Sequence, residues 1–276
     1  WSNLVMTRTT ACFFTSALLL FSPLLLAEES TLEPKHPLLA NDFAASIGAL
    51  PGMKVRVLGM TGSGVFPLGE VGTISVGSEH WENARVALLP SDDPISARLD
   101  GLLGTDFLSR YAVWYSQRER VLRLYPSELV AARSYNDWSA IGLSPMRLGH
   151  GDVSVFVMQM TIEGRQIVTL FDLGATVNLM NRRAARALNI VTRARRDKSD
   201  VYGVTGRTQI LAELLVRQLD IGFHRWRHRT FLVGDFPIFD VLDIRRSPVA
   251  IVGTSFFKER DFIIDFARER LLVRSR

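Results

Sequence analysis

The chain has 276 residues, 47% of them hydrophobic and 22% charged, with a formal net charge of +5. That is enough apolar material for a full core and, at roughly 100–200 residues per domain, suggests two units. The positive charge is mostly arginine scattered through both halves, with no nucleic-acid motif behind it. The single cysteine, Cys12, sits in a segment expected to be removed, so a mature chain has no disulfide, thiol chemistry or Cys-based metal site.

Trp1 cannot be an initiator, so the start is Met6 or lies upstream. From Met6 the order is a positive Arg8, an apolar run from Ala11 to Leu26 broken by Pro23, then Ala27-Glu28-Glu29. This is the order of a secretory signal peptide cleaved near Ala27. The run is about 16 residues, short of the ~20 of a membrane-spanning helix. An uncleaved N-terminal anchor and an apolar stretch of a truncated domain are the alternatives. Because Cys12 precedes most of the run, a lipoprotein is not expected. The expected location is exported, periplasmic or secreted, with membrane contact only through residues 1–27 where they stay attached.

Ser30 to Leu50 opens with Pro34 and Pro37 and carries a short helical pattern from Leu38 to Ile47. From Met53 the texture changes to short β-type runs: Val55 to Leu58, Val71 to Val76 and Ala84 to Leu89. A polar loop, Ser91 to Pro94, leads to Leu99–Phe107, and Ala112–Tyr115 and Val121–Tyr125 close the half around a polar turn. Residues 127–151 read as a linker. Val153–Met160 and Gln166–Phe171 then form a hairpin pattern around Glu163-Gly164. Asn181 is a candidate N-cap for a helix through Leu188. Short β runs return from Val201 to Val204, Ile210 to Ile221, Thr230 to Val233, Val249 to Val252, Phe262 to Phe266 and Leu271 to Val273. Many short strands with few helices point to an all-β sandwich or barrel.

The halves can be laid on one another. Val57-Leu58-Gly59-Met60-Thr61-Gly62 matches Val201-Tyr202-Gly203-Val204-Thr205-Gly206, and Ile74–Gly77 matches Leu219–Gly222. Leu102-Leu103-Gly104-Thr105 falls on Ile251-Val252-Gly253-Thr254, and Arg118–Leu122 on Arg268–Leu272. Four collinear matches with offsets drifting only from about 144 to 150 positions read as a tandem duplication.

The strand ending at Phe171 runs directly into Asp172-Leu173-Gly174-Ala175-Thr176, so a carboxylate stands where the chain leaves the core. A buried carboxylate needs a partner or a purpose. With the glycine-bearing hairpin and the apolar-apolar-Gly strand that follow, this stretch resembles the retropepsin-like aspartic peptidases, most strongly from Val153 to Val273. The resemblance implies two acid-protease lobes of the closed β-barrel type with few short helices: a degenerate or truncated lobe at 28–126 and a second at 152–276. It implies Asp172 as the catalytic carboxylate in a turn formed by Leu173, Gly174, Ala175 and Thr176. It also implies flaps over a substrate groove at Gly203, Val204, Thr205 and Gly206 and at Gly59, Thr61 and Gly62. Support strands follow at Ile251, Val252 and Gly253 and at Leu102, Leu103 and Gly104. The implied activity is peptide-bond hydrolysis on a peptide or protein substrate, without metal or cofactor.

That chemistry uses two carboxylates sharing one proton, one as base on water and one as acid toward the carbonyl. Shifted back by 141 to 144 positions, Asp172 falls on Glu28 to Thr31, and the first half contains no Asp-x-Gly-Ala. Loss through decay and a truncated or frameshifted record are both open. The second Asp is then expected from missing N-terminal sequence or from a second copy in a homodimer. The competing function is an inactive pseudo-peptidase that holds extended peptides by strand addition. Leu173 also departs from the Thr or Ser of many relatives and cannot make their cross-lobe hydroxyl bond.

Several other residues have plainer readings. Asp100 and Asp106 are expected to cap loops, and Asp265 to face solvent from a strand. His224 and His228 read as an exposed strand or hairpin without a third ligand, so no metal is expected there. Arg193, Arg195 and Arg196 read as a solvated loop, and Thr61–Gly64 as a flap tip and not a phosphate loop, because no Lys follows.

Overall fold

The computed structural model describes residues 24–27, 38–59, 61–76, 79–90, 101–102, 104–116, 118–119, 121–132, 136–147, 154–194, 200–203, 206–209, 212–257 and 260–275. Cys12, Asp100, Leu103, Arg195, Arg196, Val204, Thr205, the 91–94 loop and most of the leader-like segment lie outside them. The architecture is mostly β with a few short helices.

The first half holds β1 (Leu24–Ala27), β2 (Leu38–Ala40), α1 (Asn41–Ser46), β3 (Pro51–Gly59), β4 (Gly62–Val76), β5 (Glu79–Leu89) and β6 (Gly101–Leu102). These strands form one sheet in the order β1-β3-β4-β5-β2-β6. After it come α2 (Thr105–Leu108), β7 (Ala112–Ser116), β8 (Val121–Tyr125) and α3 (Ser127–Ala132), then β9 (Trp138–Gly142) and β10 (Ser144–Arg147). Asp106 falls in α2. The stretch expected as a linker is therefore structured: β9 pairs with the chain's last strand and β10 with the next one. Its short apolar positions, such as the buried Ile141, are used by these two sheets.

The second half holds β11 (Ser154–Ile162), β12 (Arg165–Phe171), β13 (Leu179–Met180), α4 (Arg182–Leu188), β14 (Arg193–Ala194), β15 (Asp200–Gly203), β16 (Gly206–Gln209), β17 (Ala212–Ile221) and β18 (His224–Val233). It ends with α5 (Pro237–Val241), β19 (Val249–Val252), a 3-10 turn at Thr254–Phe257, β20 (Phe262–Asp265) and β21 (Arg270–Arg274). Strands β11, β12, β19, β13, β18 and β17 pair in sequence, and β17 returns to β11 through Ile162↔Leu219. The result is a closed six-stranded barrel, which leaves no open edge in the ring. Its interior is filled by Met160, Ile162, Phe171, Val216, Leu219, Trp226, Phe231 and Val252, all nearly inaccessible to solvent.

The first sheet repeats part of that ring. Strand β2 pairs in parallel with β5 and antiparallel with β6, as β13 does with β18 and β19. Among the described residues nothing takes the positions of β11 and β12, so this sheet ends at β6. In the second half, β12 is the strand that delivers Asp172.

A five-stranded sheet, β8-β7-β20-β21-β9, joins the halves. In it Ala112 faces Asp265 and Tyr115 faces Phe262. Since the offset of 150 positions places Ala112 on Phe262 and Tyr115 on Asp265, each strand's first residue faces the other's fourth. That is the register a local two-fold axis produces.

Asp265 departs from its expected place. It is fully buried, because β20 has a strand on each side and carries apolar side chains on both faces. The Ser127 hydroxyl donates to its Oδ1, Arg270 Nε donates to Oδ2 at 3.0 Å, and Arg268 Nη1 lies 3.8 Å away. Asp265→Ala would leave two arginines facing an apolar gap. Both are partly exposed, so water offsets some of the cost, and a loss of about 3 kcal/mol is expected. Urea unfolding checks it; a loss below about 1 kcal/mol would mean the cluster is already solvated.

Candidate active site

Strand β12 runs parallel to β19 with Leu170 beside Ile251 and Phe171 beside Val252. Strand β19 is a continuous apolar run buried along its length, and β12 becomes buried toward its end, from Thr169 to Phe171, as strands covered on both faces do. The register carries the chain out of the barrel at Asp172, whose N–H donates to Val252 O at 3.0 Å. The side chain is fully buried. Its Oδ1 accepts from Gly174 N at 2.8 Å, and its carbonyl accepts from Ala175 N at 3.2 Å. Asp172 thus closes its own turn, as short acidic side chains do. Leu173 and Ala175 are buried, Gly174 is half-buried and Thr176 is exposed. Leu173 packs in the main core, so its place is filled by apolar contact.

Behind the turn stands Gly253. A Cβ on it would lie 1.9 Å from Ala175 O, so only glycine fits the close approach. Thr254 N donates to Ala175 O at 3.0 Å and Thr254 Oγ1 reaches the same oxygen at 3.5 Å. Asn178 completes the support: its Oδ1 accepts from Gly253 N at 3.4 Å and its Nδ2 donates to Thr230 O at 3.3 Å. Asn181 caps α4 by accepting from Ala184 N at 2.8 Å and donates to Ser247 O at 2.7 Å. Asn178 and Thr254 were not singled out in the sequence. The available signal for Asn178 was an amide inside the apolar run Val177–Met180, where a buried polar group must be satisfied.

The glycine-bearing hairpins have matching tips. Gly203 faces Gly206 in β15–β16, and Gly59 faces Gly62 in β3–β4. In the first half, Leu102 lies in β6 and Gly104 precedes α2, but no Asp-x-Gly-Ala turn precedes them in the sequence. Among the described residues no three His, Cys, Asp or Glu side chains cluster to hold a metal ion.

His224 is buried, contrary to its exposed reading, because it alternates inward with Trp226 on β18. Its Nδ1 meets Arg260 Nη1, and Arg260 also lies over the Trp226 ring at 4.9 Å. His228 is exposed with φ of 53°. Burial and then the Arg260 charge hold the His224 pKa below its ordinary 6.5. Below about pH 6.5 the unfolded chain therefore binds a proton that the folded chain resists, and stability falls as pH falls. His224→Gln is expected to flatten the melting-temperature decline between pH 7.5 and 5. An unchanged slope would assign that decline to other groups.

The site is thus a fully buried carboxylate on a strand-end turn, braced by an apolar-apolar-Gly strand of a closed barrel. Residues 158–256 match the family model described as Aspartyl protease. Among solved structures, the chain is similar to a retropepsin-like aspartic protease from Rickettsia conorii at 14% identity, covering 50% of this chain and 90% of that one with a TM-score of 0.34. Among curated proteins none matches.

Proposed function

We propose that this protein is an aspartic-type endopeptidase in which Asp172 activates water, and that its two lobes are tandem copies of one unit. In this reading Asp172 takes a proton from water, the water oxygen bonds to the substrate carbonyl carbon, and a second carboxyl donates its proton to the carbonyl oxygen. Collapse of the tetrahedral adduct breaks the C–N bond as the amine is protonated. The second Asp comes from outside the first lobe as described, either from further N-terminal sequence or from a second copy. The hairpins ending at Gly203–Gly206 and Gly59–Gly62 cover the substrate, and the leader-like order from Met6 to Ala27 supports an exported location.

The observation that carries the reading is the fixed turn: Asp172 is fully buried yet held by Gly174 N, Val252 O and the Gly253–Thr254 support. The experiment is a comparison of the parent with Asp172→Asn on unstructured peptides between about pH 4 and 7. Equal rates in the two would end the proposal.

A second reading has an observation of its own. Because the first sheet stops at β6 among the described residues, the chain also reads as a peptide-binding pseudo-peptidase that holds extended segments by strand addition without cutting them. Saturable peptide binding with no cleavage, even at concentrations that favour dimers, would favour it.

A further inference from the structure

Between β2, α1, β4 and β6 the first lobe has a cavity of about 460 Å³, lined by Leu39, Phe43, Ile47, Val71, Ile74 and Leu102 with glycine and hydroxyl residues between them. That is within the roughly 300–1,000 Å³ of ligand sites. None of the lining residues is charged. Phe43 and Ile47 are 37% and 46% exposed, and Leu39, Val71 and Ile74 are half-buried.

The second lobe shows what fills the same space when it is full. Ile74 falls on Leu219 and Val71 on Val216, each 145 positions on. Leu38 faces Leu102 as Leu179 faces Ile251, so Leu39 takes the place of Met180. In the second lobe Met180, Val216 and Leu219 are completely buried, in one core with Met158, Met160 and Ile162 of β11, and Ile162 lies beside Leu219. The first lobe has no such cover among the described residues. Strand β4 pairs with β3 only as far as Gly69, so its residues 71–76 have β5 on one side and no described strand on the other, and β6 pairs with β2 alone. Two strand edges and an apolar floor therefore face one space.

We propose that this groove is a docking site for an extended segment of a partner polypeptide, one that presents aliphatic side chains at every second position, as β11 presents Met158, Met160 and Ile162, and adds as a strand to β4. The proposal rests on the strand-addition reading for what the lobe does, and it supplies the place of the segment and the side chains it needs. An uncharged lining selects uncharged side chains, because an unpaired charge is costly to bury. The chain's own segments that lead into this sheet do not match that chemistry or place. Residues 28–37 carry Glu28, Glu29, Glu33, Lys35 and two prolines, and β1, which ends the apolar run from Ala11, lies at the opposite edge of the sheet from β6.

The probe is a labelled synthetic peptide with the sequence of Ser154–Phe171, titrated into the full-length Asp172→Asn chain so that cleavage cannot intervene. Saturable binding is expected, and about tenfold weaker binding for the same peptide carrying Met158→Asn, Met160→Asn and Ile162→Asn. In the protein, Phe43→Glu and Ile47→Glu stand at positions exposed enough to tolerate a charge in the free chain. Each is expected to weaken binding about tenfold, while Leu129→Glu on α3, also exposed, keeps the parental affinity. Absence of binding overturns the proposal. Equal binding by all variants also overturns it, and then the strand-addition reading survives at another surface. A photoreactive benzophenone side chain in place of Ile47 identifies the occupant: crosslinking to the peptide supports the proposal, whereas crosslinking to a second copy or to residues 1–27 in its place overturns it. If the parent proves to cleave peptides in an Asp172-dependent way, the pseudo-peptidase reading fails while these titrations still decide the groove.

Discussion

Asp172→Asn is expected to reduce peptide cleavage by about 10³-fold or more while leaving the fold intact. The amide has the shape of the carboxylate, so its oxygen can still accept from Gly174 N, now 2.8 Å from Oδ1. In the proposed mechanism what disappears is the base that takes the proton from water, and a positioned general base is worth roughly 10² to 10⁴ in rate. A neutral amide is also cheaper to bury than a charge, and Asp172 is fully buried. The denaturation midpoint should therefore hold or rise slightly. Loss of activity together with a large fall in stability would identify Asp172 as a structural residue.

Gly253→Ala should be the most damaging single-methyl change in the second lobe. The added Cβ would lie 1.9 Å from Ala175 O, 2.6 Å from Ala175 C and 3.0 Å from Ala175 Cβ. Two of these atoms are backbone, so no rotamer change relieves the clash and the turn itself must move. Overpacking of this kind costs about 3 kcal/mol, at the upper end of its usual range. A shift of about 1 Å in the turn would lower the rate by roughly 10²-fold. Denaturant titration and steady-state kinetics on the same preparation check both. Near-parental values for both would show that the turn can yield without consequence.

Local patterns in the sequence carry much of this architecture. Gln166–Phe171 running into Asp-Leu-Gly-Ala, and Val249–Val252 as an unbroken apolar run, can be read directly because each feature is contained within a few residues. The alternating pattern failed at Asp265, since strand β20 lies between β7 and β21 and both of its faces are covered. There the polar residue marks a buried ion cluster and not the solvent side. His224 failed for a related reason: its neighbour Arg260 comes from a distant part of the chain. Trp138–Gly142 looked like linker because a strand this short gives no periodicity, and only its pairing with β21 reveals it. The stacking of Tyr115 on Phe262 depends on the register of two strands that belong to different halves. No local pattern encodes such a register.

The pairing of β7 with β20 also bears on how a second carboxylate could arrive. Strand β20 has two lateral neighbours, β7 and β21, and both come from its own chain. Another molecule approaching along that strand would have to displace β7, which is tethered and so competes at an effective concentration in the millimolar range. Its seat is already taken at any ordinary dilution. A dimer that supplied an aspartate would have to form over a different surface, and its activity would rise with protein concentration, whereas the docking of the two halves would not depend on dilution at all.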